Sequence, residues 1–295
     1  MKKLVYLTST VLLMSAFCAC GGGNKKQNDQ ANQEAEAQTE VNAIPEYVVL
    51  DNPQVDLSTF PKDKDGYIIL FDGKSLNGWR GYGKDHVPAK WSIDNGTLKF
   101  SGSGTGEAQD DSGGDLIFAH KFRNFELSID WKISKGGNSG ILYLAREVQT
   151  KDPNTGEMRM EPIYISAPEA QILDNVNHID AKLGKDNNRQ SSSLYDMIPA
   201  KPQNSKPFGE WNNTTITVFK GTVIHGQNGE NVLEYHLWTP QWTQMLQESK
   251  FSQENWPLAF ELLNNLGGDE KAGYIGLQDH SDDVWFRNIK IKILD

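Results

Sequence analysis

Alternation of apolar and polar positions dominates this chain from residue 67 onward. Residues 125–133 are the cleanest case. Phe125, Leu127, Ile129, Trp131 and Ile133 fall on one face of an extended segment, and Glu126, Ser128, Asp130 and Lys132 on the other. Shorter runs of strand type begin at Tyr67, Leu116, Ile141, Thr214, Val223, Val232, Gly273 and Val284. Between Trp91 and Phe100, Asn95-Gly96 has the composition of a tight hairpin turn. Gly136 to Gly140 turns the chain, and residues 101–114 and 150–160 read as loops. One helix is predicted, from Pro240 to about Lys250, with Thr239 as N-cap and Trp242, Met245, Leu246 and Ser249 at helical spacing. Many strands, one short late helix and no βαβ spacing predict an all-β fold of two antiparallel sheets packed as a sandwich.

Within this pattern, Glu169-Ala170-Gln171-Ile172-Leu173-Asp174 has a special composition. As a strand it sets Glu169 and Gln171 on one face, with Ala170, Ile172 and Asp174 on the other. A carboxylate beside an amide can line a groove, although a wet sheet face gives the same alternation. Residues 175–210 follow as a long excursion with few regular features, and a loop of that length usually serves function. Ser193-Leu194-Tyr195-Asp196 within it can bend back over a groove.

The chain has 295 residues, 29 Lys and Arg against 39 Asp and Glu, and a net charge of −10, which gives no footprint for a nucleic-acid partner. Both cysteines, Cys18 and Cys20, lie in the first twenty residues. The rest can therefore have no disulfide, no cysteine metal site and no catalytic thiol. Lys2 and Lys3 precede a mostly apolar run from Leu4 to Phe17, an export signal too short to span a bilayer comfortably. It ends at Cys20 and Gly21-Gly22-Gly23 and resembles a bacterial lipoprotein signal over residues 1–20, with Cys20 as the first candidate for lipidation and Cys18 as the second; a plain signal peptide is the alternative. Residues 21–43 are too polar to fold and read as a flexible tether. The expected organisation is a lipid anchor to the membrane of the bacterial cell envelope, a tether, and a single domain over 44–295. There is no phosphate loop, no Rossmann fingerprint and no nucleophile elbow, so no nucleotide cofactor is expected.

Several motifs in order carry a family resemblance over roughly residues 67 to 293. They are Leu70-Phe-Asp-Gly-Lys-Ser-Leu-Asn-Gly-Trp79, Asn138-Ser-Gly-Ile-Leu-Tyr-Leu-Ala-Arg146, Glu169-Ala-Gln-Ile-Leu-Asp174, Gly209-Glu-Trp-Asn212, and the pair Gly276-Leu-Gln-Asp-His280 and Val284-Trp-Phe-Arg-Asn-Ile289. Together they resemble the bacterial 3-keto-disaccharide hydrolase family. The resemblance implies a concanavalin-like or glucanase-like jelly roll that cleaves sugars oxidised at carbon 3, with a divalent metal, calcium or a transition ion, in at least some members. Gly226-Gln-Asn-Gly229 departs from the family's Trp-Leu-Asn-Gly pattern.

A ketone at carbon 3 acidifies the proton at carbon 2, so the carbon 1 substituent can leave by elimination and water can add back. That path needs a base, a group at the enolate oxygen and an acid for the leaving oxygen. Glu169 is the first candidate, as base or metal ligand, and His280 is the second catalytic candidate. Arg146, Gln171 and Asp174 are candidate contacts to hydroxyl groups, and Tyr195 and Trp211 are candidate sugar platforms or core residues. Two other readings stand beside this one. A glycosidase of the ordinary kind needs two carboxylates about 5 to 10 Å apart across a cleft. A carbohydrate-binding module needs aromatic platforms without an acid or base.

Overall fold

The computed structural model describes residues 44–102 and 112–295. The export signal, Cys20 and the tether lie outside the described residues. Ile44–Asp295 forms one compact unit.

Strands β1 (Tyr47–Val49), β2 (Ile68–Ile69), β3 (Trp79–Gly81), β4 (Trp91–Asp94), β5 (Thr97–Phe100), β6 (Leu116–Phe122), β7 (Phe125–Ile133) and β8 (Asn138–Ala145) make up the first half. They are followed by β9 (Val148–Lys151), β10 (Met158–Met160), β11 (Glu169–Leu173), β12 (Asn212–Phe219), β13 (Thr222–Gln227) and β14 (Glu230–His236). Two helices come next, α1 (Pro240–Gln247) and α2 (Pro257–Asn264), and then β15 (Gly273–Leu277) and β16 (Val284–Ile293). One sheet runs β11-β8-β15-β6-β3. The facing sheet runs β14-β13-β12-β7-β16-β5-β4, with β2 added on β16. A small sheet, β1-β9-β10, lies apart from both. All pairings are antiparallel, as in a jelly-roll sandwich.

The alternation read from β7 is the alternation of the fold. Its five apolar residues are all buried in the core, packed with Tyr143, Ile172 and Leu277 of the opposite sheet. Asn95 and Gly96 both have positive φ, as the predicted hairpin requires. The motif ending at Trp79 is a clasp. Trp79 Nε1 donates to the Leu70 carbonyl at 2.8 Å, and Asp72 accepts from the Lys74 and Ser75 amides.

Two short helices are present where one was expected. Helix α1 begins as predicted, with Thr239 Oγ1 accepting from the Trp242 amide at 3.2 Å, but ends at Gln247. Helix α2 escaped the sequence reading because its N-cap is Trp256, which has no side-chain oxygen to announce a helix start. Trp242 stacks on Tyr235 and donates to the Leu263 carbonyl at 2.9 Å, so the apolar stripe of α1 is core.

Candidate functional site

Strand β11 sits at the edge of its sheet and points Ala170 and Ile172 into the core. Glu169 and Gln171 therefore face outward from the sandwich. Register with β8 sets Gln171 opposite Gly140 and Leu173 opposite Asn138. Gly140 has a steric reason to be glycine. A Cβ there would stand 2.3 Å from Glu169 Oε1, so the bare backbone lets the carboxylate lie across the neighbouring strand. On the far side of β8, the Gln278 amide donates to the Gly140 carbonyl at 3.0 Å. That bond brings Gln278 and His280, just beyond the end of β15, to the same face.

The long excursion returns along the open edge of β11. Ser192 N–H donates to the Gln171 carbonyl at 2.7 Å, Gln171 N–H to Ser193 at 3.1 Å, and Tyr195 N–H to Glu169 at 3.1 Å. Tyr195 is thereby hung over the cleft. Arg189 fastens this loop by donating to Asp196 at 2.7 Å and Asp180 at 3.1 Å. Asp196 also accepts from the Lys250 backbone amide at 3.3 Å, which ties in the segment after α1. The result is a cavity of about 120 Å³ lined by Asn138, Tyr164, Glu169, Gln171, Tyr195, Lys250, Gln278 and His280. It is smaller than the roughly 300–1,000 Å³ of pockets that enclose a whole ligand, so it suits one end of a substrate.

Its chemistry is mixed. Glu169 is only 8% exposed. Lys250 is an exposed residue, yet its ammonium lies 4.5 Å from the centre of the Tyr195 ring, 4.9 Å from Phe251 and 5.5 Å from Tyr164. Loss of hydration among these rings lowers its pKa, against the opposing pull of Glu169 and Asp196. Burial, with Asp180 and Glu169 nearby, pushes the Tyr195 phenol up, and its hydroxyl donates to Asp180 at 3.0 Å. Asn138 Oδ1 and Gln278 Oε1 are buried with no hydrogen-bond partner. Unpartnered buried amides are costly unless a ligand or water completes them, and hydroxyl groups would do so.

Of the sequence candidates, the structure brings Glu169, Gln171, Tyr195 and His280 together. It does not bring Arg146, Asp174 or Trp211 to them. Arg146 ends beyond β8 and lines a different hollow with Lys121, Gly268 and Tyr274, where it donates to the Leu262 carbonyl at 3.2 Å. Asp174 closes a turn, accepting from the Gly136 amide at 2.8 Å and the Asn177 side chain at 2.7 Å. Burial raises its pKa, but these bonds outweigh that and hold it below the usual carboxylate range. Trp211 lies beside the eight-stranded sheet's polar residues under the Arg287 guanidinium, 4.0 Å from its ring centre. Asn138, Tyr164, Lys250 and Gln278 join the cleft without being candidates on sequence grounds. Asn138 and Gln278 lie inside recognised motifs, whereas nothing in the local sequence marks Lys250.

A larger open groove of about 670 Å³ lies on the outer face of the eight-stranded sheet. Its charges are already matched. Asp130 accepts from Asn288 at 2.7 Å and Asn213 at 2.9 Å, and Lys290 pairs with Asp63 at 2.9 Å. Among the described residues no three His, Cys, Asp or Glu side chains gather to hold a metal ion. The cleft offers Glu169 and His280 as ligand types, with a lysine ammonium beside them. Among the described residues these are two ligand types, fewer than the three or more protein ligands of typical catalytic sites.

Residues 66–292 match the family model described as the 3-keto-alpha-glucoside-1,2-lyase-like domain. This chain belongs to that family. The 3-keto-α-glucoside-1,2-lyase-like family thus covers all five motifs and the whole cleft. The chain is also 63% identical, over the full length of both, to the 3-keto-disaccharide hydrolase of Bacteroides thetaiotaomicron. Membership makes it a glycoside-acting enzyme of this type. Two solved Parabacteroides distasonis structures, each of a candidate glycosyl hydrolase, are similar to it. One is 27% identical with a TM-score of 0.62 over 78% of this chain and 95% of that one. The other is 26% identical with a TM-score of 0.53 over 77% and 99%.

Proposed function

We propose that the protein cleaves 3-keto-glycosides by removing the proton at carbon 2, with Glu169 as the base and His280 as the acid. The observation that carries this reading is the convergence of one carboxylate, one imidazole and several amides in a small cleft on a chain of this family. The C2–H bond breaks and the proton passes to Glu169. The electron pair moves onto the carbon 3 oxygen as an enolate. When it returns, the C1–O bond breaks, and His280 gives a proton to the departing oxygen. Addition of water to the unsaturated ketone completes a net hydrolysis. Asn138, Gln171 and Gln278 supply hydrogen bonds to ring hydroxyls, and Tyr195 closes the cleft from above.

Glu169 is the sole carboxylate among the described residues that line the cavity. This favours the reading over a glycosidase with paired carboxylates. The deciding experiment compares an aryl 3-keto-β-glucoside with its unoxidised glucoside, with and without a chelator. Release from the keto sugar alone supports the proposal. Release from the plain glucoside, or from neither, refutes it.

The enzyme is further proposed to be tethered to the bacterial envelope through a lipid on Cys20, on the strength of the Lys2-Lys3 start and the apolar run before that cysteine. Metabolic labelling with an alkyne fatty acid would then label the wild-type chain and not Cys20→Ala.

A further inference from the structure

Elimination from a 3-keto sugar gathers negative charge on the carbon 3 oxygen, and the rate depends on what meets it there. This inference rests on the reaction proposed above. The candidates are the cleft's hydrogen-bond donors. Gln171 turns its Oε1 back to accept from the Ile172 amide at 2.8 Å. Tyr195 spends its hydroxyl proton on Asp180. Asn138 and Gln278 present orphaned acceptor oxygens, which suit hydroxyl groups. Asn138, Gln171 and Gln278 can offer only neutral amide N–H donors, whereas Lys250 brings a full positive charge with three donors.

The surroundings keep that charge available. Asp180 and Asp196, the acids closest in kind to structural partners, are both occupied by Arg189. Among the described residues the Lys250 ammonium enters no ion pair and is held against Tyr195, Phe251 and Tyr164 instead. A cation over ring faces is stabilised without being neutralised. Glu169 stands close enough to act on it electrostatically across the same cavity. A base for carbon 2 and a cation for carbon 3 are the two groups that adjacent ring atoms require.

We propose that the Lys250 ammonium binds the oxygen at carbon 3 of the oxidised ring and holds the enolate formed when carbon 2 loses its proton to Glu169. It thereby supplies the positive charge that a metal ion would otherwise bring, in a cleft where no three metal-ligating side chains gather among the described residues. Lys250 is then a catalytic residue that makes contact with the reacting atoms. The groups that face its ammonium are Glu169, Asp180, Arg189, Asp196, Tyr164, Tyr195 and His280. Desolvation lowers its pKa, so the alkaline limb of the pH profile should begin below the ordinary lysine range.

The test separates enolate formation from bond cleavage. The full-length enzyme is given 1,5-anhydro-3-keto-glucitol in D2O, which has no glycosidic substituent at carbon 1, and deuterium entry at carbon 2 is followed by NMR. In parallel, aryl 3-keto-β-glucoside cleavage is measured. Lys250→Met should slow both by about 10²–10³-fold, the usual cost of removing a donor to a developing oxyanion. Lys250→Arg keeps the charge. It should retain more activity than Lys250→Met and move the alkaline limb upward, because arginine stays protonated. Wild-type exchange should be unchanged by chelator. Exchange in Lys250→Met near the wild-type rate would overturn the proposal, as would chelator-sensitive exchange that is indifferent to Lys250. If the wild type cleaves and exchanges nothing, the reaction itself is wrong and Lys250 falls with it. If the wild type is active and Lys250→Met equally so, only the assignment of Lys250 fails.

Discussion

The two sheets each present a polar outer face, and the faces differ in how their polar groups are used. On the eight-stranded sheet, alternation sets Asp130 opposite Arg287 and Glu126 opposite Lys292 in register. Asp130 has three partners, Tyr67 donates to Glu126, and Arg287 covers Trp211. Every one of these groups is exposed enough to be hydrated as well, so the face is solvated and internally matched. On the five-stranded sheet, a returning loop and the segment after α1 roof over the same kind of alternation. Beneath that roof, Asn138 Oδ1 and Gln278 Oε1 lose water without gaining partners. Polar residues on a strand do not mark a site. Polar residues that are dehydrated and incompletely bonded do.

The sharpest way to break this contrast is Glu169→Gln. Turnover should fall by at least about 10³-fold with an unchanged melting temperature, since loss of a general base typically costs about 10²–10⁴-fold. Near-normal turnover would remove Glu169 from the mechanism. Gly140→Ala should come next, at about 10²-fold in kcat, because its Cβ would meet Glu169 Oε1 at 2.3 Å and swing the carboxylate aside. An activity loss matched by a large loss of stability would instead make Gly140 a folding residue. Asn138→Ala should raise KM by about tenfold, as expected for about 1–2 kcal/mol of lost hydrogen bonding to a substrate hydroxyl. On the opposite face, Arg287→Ala should leave kcat/KM within about twofold and cost at most about 1 kcal/mol in a denaturant titration. A large activity loss there would mean that the matched face also takes substrate.

A buried polar network behind the cleft adds a pH prediction. His225 Nδ1–H donates to the Ser192 carbonyl at 3.0 Å, so its Nε2 accepts from the Tyr143 hydroxyl at 2.7 Å, and Tyr143 in turn accepts from Tyr235. Burial pulls the His225 pKa down to about 4. The unfolded chain therefore binds a proton there that the folded one refuses between about pH 6.5 and 4. Stability is fully present above pH 6.5 and falls with acidification across that window, by about 3 kcal/mol from this group. Melting curves of the wild type and His225→Gln from pH 7 to 4 check this, and the variant should show the shallower decline.

Much of the molecule was legible in one dimension. Alternation in β7, the Asn95-Gly96 turn and the Thr239-Pro240 helix start are local devices, and each acts where the sequence places it. Helix α2 was not legible, since a helix opened by Trp256-Pro257 depends on what its Leu258, Leu262 and Leu263 can bury against. The same distinction divides the candidate site. Glu169 and Gln171 share a face because side chains on a strand alternate, and His280 follows a strand end that turn residues announce. Arg146 and Asp174 sit within a few residues of such positions, yet they belong to a different hollow and to a turn. Lys250 joins the cleft through an Asp196 contact 54 positions away.

By itself, then, the sequence determined the long strands, their two faces, the family and the shared outer face of Glu169 and Gln171, though not the short strands around residues 148–160, because period-two alternation and motif order are properties of neighbours along the chain. Only the tertiary structure decided which outer face is roofed, which amides lose their partners and which cation stands beside Glu169. Those outcomes depend on strand register and on where a long loop returns, and both are set by packing between segments far apart in the chain.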